Sequence, residues 1–303
     1  MQAKARLTRR AWIRTAALGT TAAGLGMHRG RAAEPPGEMR RRIPLKLGIR
    51  AASMQMVGDL GVVKAAAGIP GILGVELQTT AGKANLRDWD VVRGYKREAD
   101  RWGMRISSLA GVWDRGVTIQ SPDAAKSLIP TIRAAELLGA TVILLAFFRK
   151  NAPDMTQEQS YGPVVAMLQK TAKYAADAGV VMGLENSLSP ADNKKLVDLV
   201  DHPAVGVYYD LHNMAYYGHG DQAIPGIRLL GKKRIAMVHV KNGRDLIQEP
   251  GPIDWAAAFR AFNQIQYEGW YVYETAHDNL ADCIEDTKKN NAFLKEHVRM
   301  PCA

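Results

Sequence analysis

Short apolar runs alternate with longer amphipathic stretches along most of this chain. Near-continuous apolar runs of this length are typical of strands that are covered on both faces. Eight such runs are present: Leu45 to Ile49, Gly74 to Leu77, Arg105 to Leu109, Thr141 to Ala146, Val180 to Leu184, Val205 to Tyr209, Ile235 to Val240 and Trp270 to Tyr273. Their alternation with helical stretches predicts an α/β fold, a (β/α)8 TIM barrel in a single domain.

The stretches between the runs carry helix signals. Apolar residues recur at three- and four-residue spacing in Ala124 to Leu138, Val164 to Ala178 and Leu280 to His297, which is typical of amphipathic helices. Ser121-Pro122 and Ser189-Pro190 each place a Ser at an expected helix cap and a Pro at the first helical position. A doubly wound sheet is the competing fold, but no Gly-x-Gly-x-x-Gly turn follows the first run.

The positive charge of the chain is concentrated near its N-terminus. The 303 residues carry a formal net charge of +10, and residues 1–50 hold 12 Lys+Arg against 2 Asp+Glu. The remaining residues hold 28 of each kind. Nucleic-acid binding depends on basic surfaces that neutralise phosphates. A barrel of balanced charge is therefore not expected to have a nucleic-acid partner.

The basic segment resembles a bacterial twin-arginine export signal. Thr8-Arg9-Arg10-Ala11-Trp12-Ile13-Arg14 precedes an Ala- and Gly-rich stretch, Thr15 to Met27. That stretch has 13 residues, fewer than the roughly 20 that span a bilayer as a helix, so no permanent membrane anchor is expected. The prediction is a signal peptide at 1–33, a linker at 34–44 and a barrel at 45–303. The export machinery would be a targeting partner, and the mature protein would be periplasmic or exported.

Four potential metal ligands each stand at the end of a separate apolar run. They are Glu185 in GLEN, Asp210 in YYDLHN, His239 in MVHVKN and Glu274 in YVYETAH, at intervals of 25, 29 and 35 residues. Each interval is about the length of one strand, helix and return loop. Because the carboxyl ends of parallel barrel strands meet on one face, these side chains are expected to converge. Three carboxylates and one imidazole suit one divalent ion such as Mg, Mn, Co, Fe or Zn.

Such a centre suggests a reaction next to a carbonyl group. An ion with open coordination positions would polarise a substrate carbonyl and stabilise the enediolate that forms when a neighbouring carbon loses its proton. A carboxylate on each side of that carbon would remove the proton and return it.

The strand-five to strand-eight pattern resembles the xylose isomerase-like barrel superfamily, in particular its sugar phosphate isomerase/epimerase branch. The resemblance rests on the four strand-end residues, on His239-Val240-Lys241-Asn242 and on Gly251-Pro252-Ile253-Asp254-Trp255. It implies a divalent-metal-dependent sugar isomerase or epimerase with Glu185 and Glu274 as the acid/base pair. The implied substrate is a carbohydrate or a similar polyol or keto acid.

The chain departs from that pattern beside the metal ligands. Ketose 3-epimerases of this group carry an acid where this chain has Ala191, a His where it has Asn213 and an Arg where it has Asp245. The resemblance therefore does not identify a particular ketose. Candidate substrate-binding residues are Glu76 and Trp113, near the ends of earlier runs, His212 and Asn213, just after Asp210, and Lys241, two residues beyond His239 on the same side of the strand.

Other functions remain open at this point. Inosose and dehydroshikimate dehydratases share the metal centre and the first proton abstraction, so a metal-dependent lyase is one alternative. A periplasmic sugar-binding protein without activity is another, although it would need neither glutamate. Endonuclease IV shares the barrel but draws histidines from its early strands, whereas this chain has no His between Gly30 and Asp201. The oligomeric state is not indicated.

Overall fold

A computed structural model describes residues 45–80 and 85–300. The predicted signal peptide at 1–33 and linker at 34–44 lie outside these residues, so both stay predictions. No helix within the described ranges is both long and apolar enough to cross a membrane.

Eight parallel strands close into a barrel in sequence order, which confirms the predicted fold. Each observed strand lies within a residue or two of its predicted bounds. The strands are β1 Lys46–Arg50, β2 Gly74–Gln78, β3 Arg105–Ala110, β4 Val142–Phe147, β5 Val181–Asn186, β6 Val205–Asp210, β7 Ile235–Val240 and β8 Trp270–Tyr273.

The helices follow the strands and cover the outside of the barrel. They are α1 Val62–Ala67, α2 Trp89–Trp102, α3 Ala124–Leu138, α4 Glu158–Asp177, α5 Pro190–Val200, α6 Leu211–Tyr216, α7 Gly220–Arg234, α8 Trp255–Gln264 and α9 Leu280–His297. A 3-10 turn, Arg149–Asn151, follows β4, and α7 is interrupted at Gly231 by non-helical dihedral angles.

One of the two predicted serine caps is correct. Ser189 caps α5 by accepting a hydrogen bond from the Asp192 amide, with Pro190 at the first helical position. The cap predicted at Ser121 is wrong, because α3 begins three residues later, after Asp123. The Ser121 hydroxyl instead accepts a hydrogen bond from the Thr118 amide, 2.8 Å away, within the preceding loop.

Along each strand, every second side chain points into the barrel, up to the carboxyl end of the strand. Tyr208 and Met237 belong to an apolar cluster inside the barrel, and Asp210 and His239 follow them by two residues. Side chains two residues apart on a strand lie on the same face. Asp210 and His239 therefore lie directly above the apolar interior, at the carboxyl end of the barrel. The register pairs Asp210 with His239. In the same way, Arg50 on β1 is paired with Glu76 on β2.

Candidate metal and active site

Each of the four predicted ligands lies at the carboxyl end of its strand. Glu185 and His239 are the penultimate residues of β5 and β7, Asp210 ends β6, and Glu274 follows β8 directly. Asp210 also begins α6, because its carboxylate accepts a hydrogen bond from the Asn213 amide. The strand ends thus fix the backbone from which all four side chains project.

The four side chains meet around one point. Each offers one potential ligand atom, and these atoms all lie within 4.8 Å of one another. The Nδ1 atom of His239 is 3.1 Å from both Glu185 Oε1 and Glu274 Oε2, and 3.8 Å from Asp210 Oδ2. Glu185, Asp210 and His239 are buried. The convergence expected from the sequence spacing is therefore present.

Glu76 lies on the opposite side of the His239 ring. Its Oε2 atom is 3.4 Å from His239 Nε2, and the same oxygen accepts hydrogen bonds from the hydroxyls of Tyr208 at 2.7 Å and Ser108 at 2.8 Å. Metal-ligating histidines commonly direct their second nitrogen to a carboxylate in this way. Glu76 is thus placed to orient the His239 ring; the sequence-based expectation that Glu76 contacts substrate stays a prediction.

Burial and neighbouring charges shift the pKa values of Glu76 and His239 in opposite directions. Burial would raise the pKa of Glu76, but the charges of His239 and Arg50 and its hydrogen bonds lower it to about 2. Burial would lower the pKa of His239, but Glu76 and Glu185 raise it to about 9. Without a metal ion, a protonated His239 balances part of the carboxylate charge.

Arg50 is a site residue that the sequence analysis missed. Its guanidinium pairs with Glu274, and its Nε atom lies 3.1 Å from Glu76 Oε1. Arg50 thus links a predicted ligand to the carboxylate behind His239. A signal was available, since Arg50 directly follows the first predicted strand, as Glu185, Asp210 and Glu274 follow theirs.

Lys241 projects into the site as predicted from its position two residues beyond His239. Its Nζ atom is 2.7 Å from both Asp210 Oδ2 and Glu274 Oε2. Burial raises the pKa of Asp210, but the charges of Lys241 and His239, with the hydrogen bonds from Lys241 and the Asn213 amide, together lower that pKa below its ordinary value. Lys241 is therefore a cation between two of the candidate ligands.

Asn213 and His212 occupy different places although they are adjacent. The Asn213 side chain donates a hydrogen bond to Glu185 Oε1 at 3.0 Å, so the residue that departs from the epimerase pattern touches a candidate acid/base group. His212 is half-buried, and burial lowers its pKa. Binding of substrate by either residue stays a prediction.

The loop after β7 is fixed to the strand end beside the ligands. The Trp255 indole donates a hydrogen bond to the Lys241 carbonyl at 3.1 Å, and Asp254 caps α8. Gly251 leaves room for Asn242, because a Cβ atom there would lie 1.9 Å from the Asn242 amide oxygen. The Gly-Pro-Ile-Asp-Trp string thus holds the backbone of Lys241 in place.

A cavity of about 320 Å³ opens beside the ligand cluster. It is lined by Arg50, Gln78, Gly111, Leu144, Ala146, Phe148, Glu185, Asn213, Tyr217, Lys241 and Glu274. Gln78 and Tyr217 are further lining residues that the sequence analysis missed. Trp113 packs on the core, and its indole donates a hydrogen bond at 2.7 Å to the carbonyl of Ala146. Its predicted contact with substrate remains untested.

The donor set and the charges of the cluster fit a divalent metal ion. Carboxylate oxygens and an imidazole nitrogen are the ligands that hard and borderline divalent ions take. Four carboxylates meet two permanent cations: Glu76, Glu185, Asp210 and Glu274, with Arg50 and Lys241. If His239 is neutral, as a ligand must be, a divalent ion balances the excess negative charge.

Comparison of the sequence with known families identifies a family that matches most of the chain. The family described as Xylose isomerase-like TIM barrel matches residues 63–297. Among curated proteins, 2-epi-5-epi-valiolone 7-phosphate 2-epimerase of Actinoplanes sp. is 31% identical over 122 residues, 40% of this chain and 44% of that protein. L-ribulose 3-epimerase of Methylomonas sp. is 24% identical over 166 residues, 52% of this chain and 56% of that protein. The chain thus spans about half the length of these relatives.

Solved structures of similar fold include several sugar epimerases. D-allulose 3-epimerase from Methylomonas sp. superposes with a TM-score of 0.69 at 20% identity, over 86% of this chain and 100% of that chain. D-psicose 3-epimerase from Clostridium cellulolyticum H10 gives a TM-score of 0.70 at 17% identity, over 84% and 100%. At such identities the likeness shows the fold alone.

Proposed function

The chain belongs to the xylose isomerase-like TIM barrel family, and from this we propose that it is a divalent-metal-dependent sugar isomerase or epimerase. Its reaction would move a proton at the carbon next to a sugar carbonyl. The observation that carries the proposal is the pair Glu185 and Glu274. Both belong to the ligand cluster and both line the adjoining cavity. The activities named for the relatives support the same class of reaction.

The metal would be held by Glu185, Asp210, His239 and Glu274. When bound, a divalent ion polarises a carbonyl and offsets the negative charge that develops on its oxygen. The buried carboxylate of Glu76 would keep the His239 ring turned toward that ion. The metal could be Mn, Mg, Co or Zn, which share affinity for these donors.

Glu185 and Glu274 would exchange the proton with the substrate. They approach the cavity from β5 and β8, on different sides of the closed barrel. Asn213 holds one oxygen of Glu185 by a hydrogen bond, while Arg50 and Lys241 hold Glu274. Carboxylates so fixed can take a proton from one face of a carbon and return it to the other.

The N-terminal sequence motivates a separate proposal on location. The twin-arginine pattern in residues 1–33 would direct the protein, folded and loaded with metal, to the periplasm or the exterior. Fusing residues 1–33 to a reporter that is active only after export tests this. Replacing Arg9 and Arg10 by Lys should stop export, and unaffected export would contradict the proposal.

Solvent-deuterium exchange tests the proposed reaction. The Mn-loaded protein is incubated in deuterium oxide with D-allulose, D-fructose or L-ribulose, and label at the carbon next to the carbonyl is measured by NMR. We expect Glu185→Gln and Glu274→Gln to lower the exchange rate by about a hundredfold or more, as for loss of a general acid or base. Glu296→Gln, an exposed change on α9, serves as the matched control.

Three outcomes would count against the proposal. Exchange that is unchanged in both variants would remove the two glutamates from the reaction. Binding of sugar without exchange in the wild type would favour a binding protein. Appearance of a dehydrated product in place of an epimer would indicate a lyase.

A further inference from the structure

An aromatic wall stands at the outer edge of the cavity, formed by Phe148, Tyr216 and Tyr217. The rings of Phe148 and Tyr217 are stacked with centroids 5.3 Å apart. Tyr216 meets Tyr217 edge to face at 5.0 Å. Phe148 and Tyr217 line the same cavity as Glu185, whereas Tyr216 is 64% exposed. The wall therefore runs from the cavity out into solvent.

Arg149 holds this wall in one arrangement. Its guanidinium lies 5.8 Å from the ring centre of Tyr216 and 5.9 Å from that of Tyr217. It also donates a hydrogen bond to the Tyr216 hydroxyl at 3.0 Å. The Arg149 amide in turn donates to the Ser187 hydroxyl at 2.7 Å. Contacts among the chain segments that follow β4, β5 and β6 thus hold the exposed Tyr216 ring against the partly buried Tyr217.

The cations that line the cavity are already paired. Within residues 45–80 and 85–300 these are Arg50 and Lys241, and both contact carboxylates of the ligand cluster. A phosphate group in the cavity would have to compete with those carboxylates. An uncharged sugar would not, since its hydroxyls and ring faces need polar and aromatic partners.

We propose that the aromatic wall is an outer subsite for a second sugar ring, so that the substrate is an uncharged sugar carrying a glycosidically linked unit. This rests on the proposed function, because the reacting sugar is assigned to the ligand cluster. The carbonyl-bearing unit would occupy the inner cavity beside Glu185 and Glu274. The linked ring would lie against Tyr216 and Tyr217, where a flat apolar sugar face can pack on an aromatic face.

Binding of matched mono- and disaccharides tests the subsite. Dissociation constants are measured by calorimetry on the Mn-loaded protein for D-fructose, isomaltulose and lactulose. The two disaccharides carry a second ring on different positions of fructose. We expect at least one disaccharide to bind more tightly than D-fructose. Tyr216→Ala should weaken that disaccharide about three- to tenfold, the range of one lost aromatic contact, and leave D-fructose unchanged.

A matched variant controls for loss of an exposed aromatic ring. Tyr174 lies on α4 and is 45% exposed, so Tyr174→Ala should bind all three sugars like the wild type. The inference is overturned if the wild type prefers neither disaccharide, or if Tyr216→Ala weakens D-fructose and disaccharide equally. It is also overturned if D-fructose 6-phosphate binds best and Arg149→Ala removes that preference.

The two proposals fail in different ways. A preference for a disaccharide that depends on Tyr216, without deuterium exchange, would support the subsite and contradict the epimerase. Exchange on D-fructose with no disaccharide preference would support the epimerase and contradict the subsite.

Discussion

Asp210→Asn should abolish most of the stabilisation that a metal ion gives this protein. Asn is nearly isosteric with Asp and caps a helix about as well. The hydrogen bond from the Asn213 amide, which begins α6, should therefore survive. The change removes one negative charge from the ligand cluster, and with it one of the two carboxylates that lie 2.7 Å from Lys241. It thus tests the metal site with little disturbance of the fold.

The expected size of the effect follows from mass action. A ligand at about 100 times its dissociation constant stabilises the folded state by about 2.7 kcal/mol. For a barrel of roughly 250 residues, with an unfolding entropy near 2.1 cal/mol/K per residue, this raises Tm by about 5 °C. Outer partners of a metal site already change affinity by about 10–100-fold, so a direct ligand should change it at least as much. A 100-fold loss would reduce the gain to about 0.4 kcal/mol, or about 1 °C.

Thermal unfolding with and without added ion measures this directly. Wild type, Asp210→Asn and the surface control Glu296→Gln are each melted in EDTA and in Mn²⁺, Mg²⁺, Co²⁺ or Zn²⁺. The reasoning fails if Asp210→Asn keeps the full shift, or if no ion shifts the wild type. Elemental analysis of protein prepared through its native export route should show about one divalent ion per chain.

Other predictions concern stability. Ser189→Ala should lower the free energy of unfolding by about 1 kcal/mol in chemical denaturation, because it removes the cap of α5. Gly226→Ala should cost about 1–3 kcal/mol, since its Cβ would lie 2.3 Å from the Tyr209 hydroxyl oxygen. Gly162→Ala should change stability by less than about 1 kcal/mol, because the gain in helix propensity is offset by crowding of the new Cβ against Pro163 and the nearest other atom lies 3.8 Å away. Glu76, with a pKa lowered from 4.5 to about 2, should stabilise the metal-free protein above pH 4.5 and lose that contribution as the pH falls toward 2; Glu76→Gln should flatten this part of the stability profile.

Each of these stability predictions can be checked against a control variant or a second measurement on the same protein. Ser121→Ala removes a hydroxyl that serves a loop and caps no helix, so a loss equal to that of Ser189→Ala would contradict the cap assignment. Equal effects of the two Gly→Ala changes would show that packing at Gly226 is looser than the contacts imply. An acid unfolding profile unchanged by Glu76→Gln would mean that the carboxylate is not held as its partners indicate.

The sequence by itself determined the fold and the four candidate ligands. The eight strands are visible because continuous apolar runs of strand length are a local signal. The ligands follow from it, since each stands at the end of a run and a closed parallel barrel brings those ends together. Ser189 could likewise be recognised as a cap, because its hydrogen bond spans only three residues.

Only the tertiary structure decided which groups surround the ligands. Arg50 reaches Glu274 across the closure between β1 and β8, and residues so far apart in the chain leave no local pattern that pairs them. In the aromatic wall, Phe148 stacks on Tyr217, and Arg149 contacts Tyr216 and Tyr217, across loops of different repeats. Strand periodicity is encoded by neighbours in sequence, whereas the charge balance and the shape of the cavity depend on contacts that exist only when the barrel closes.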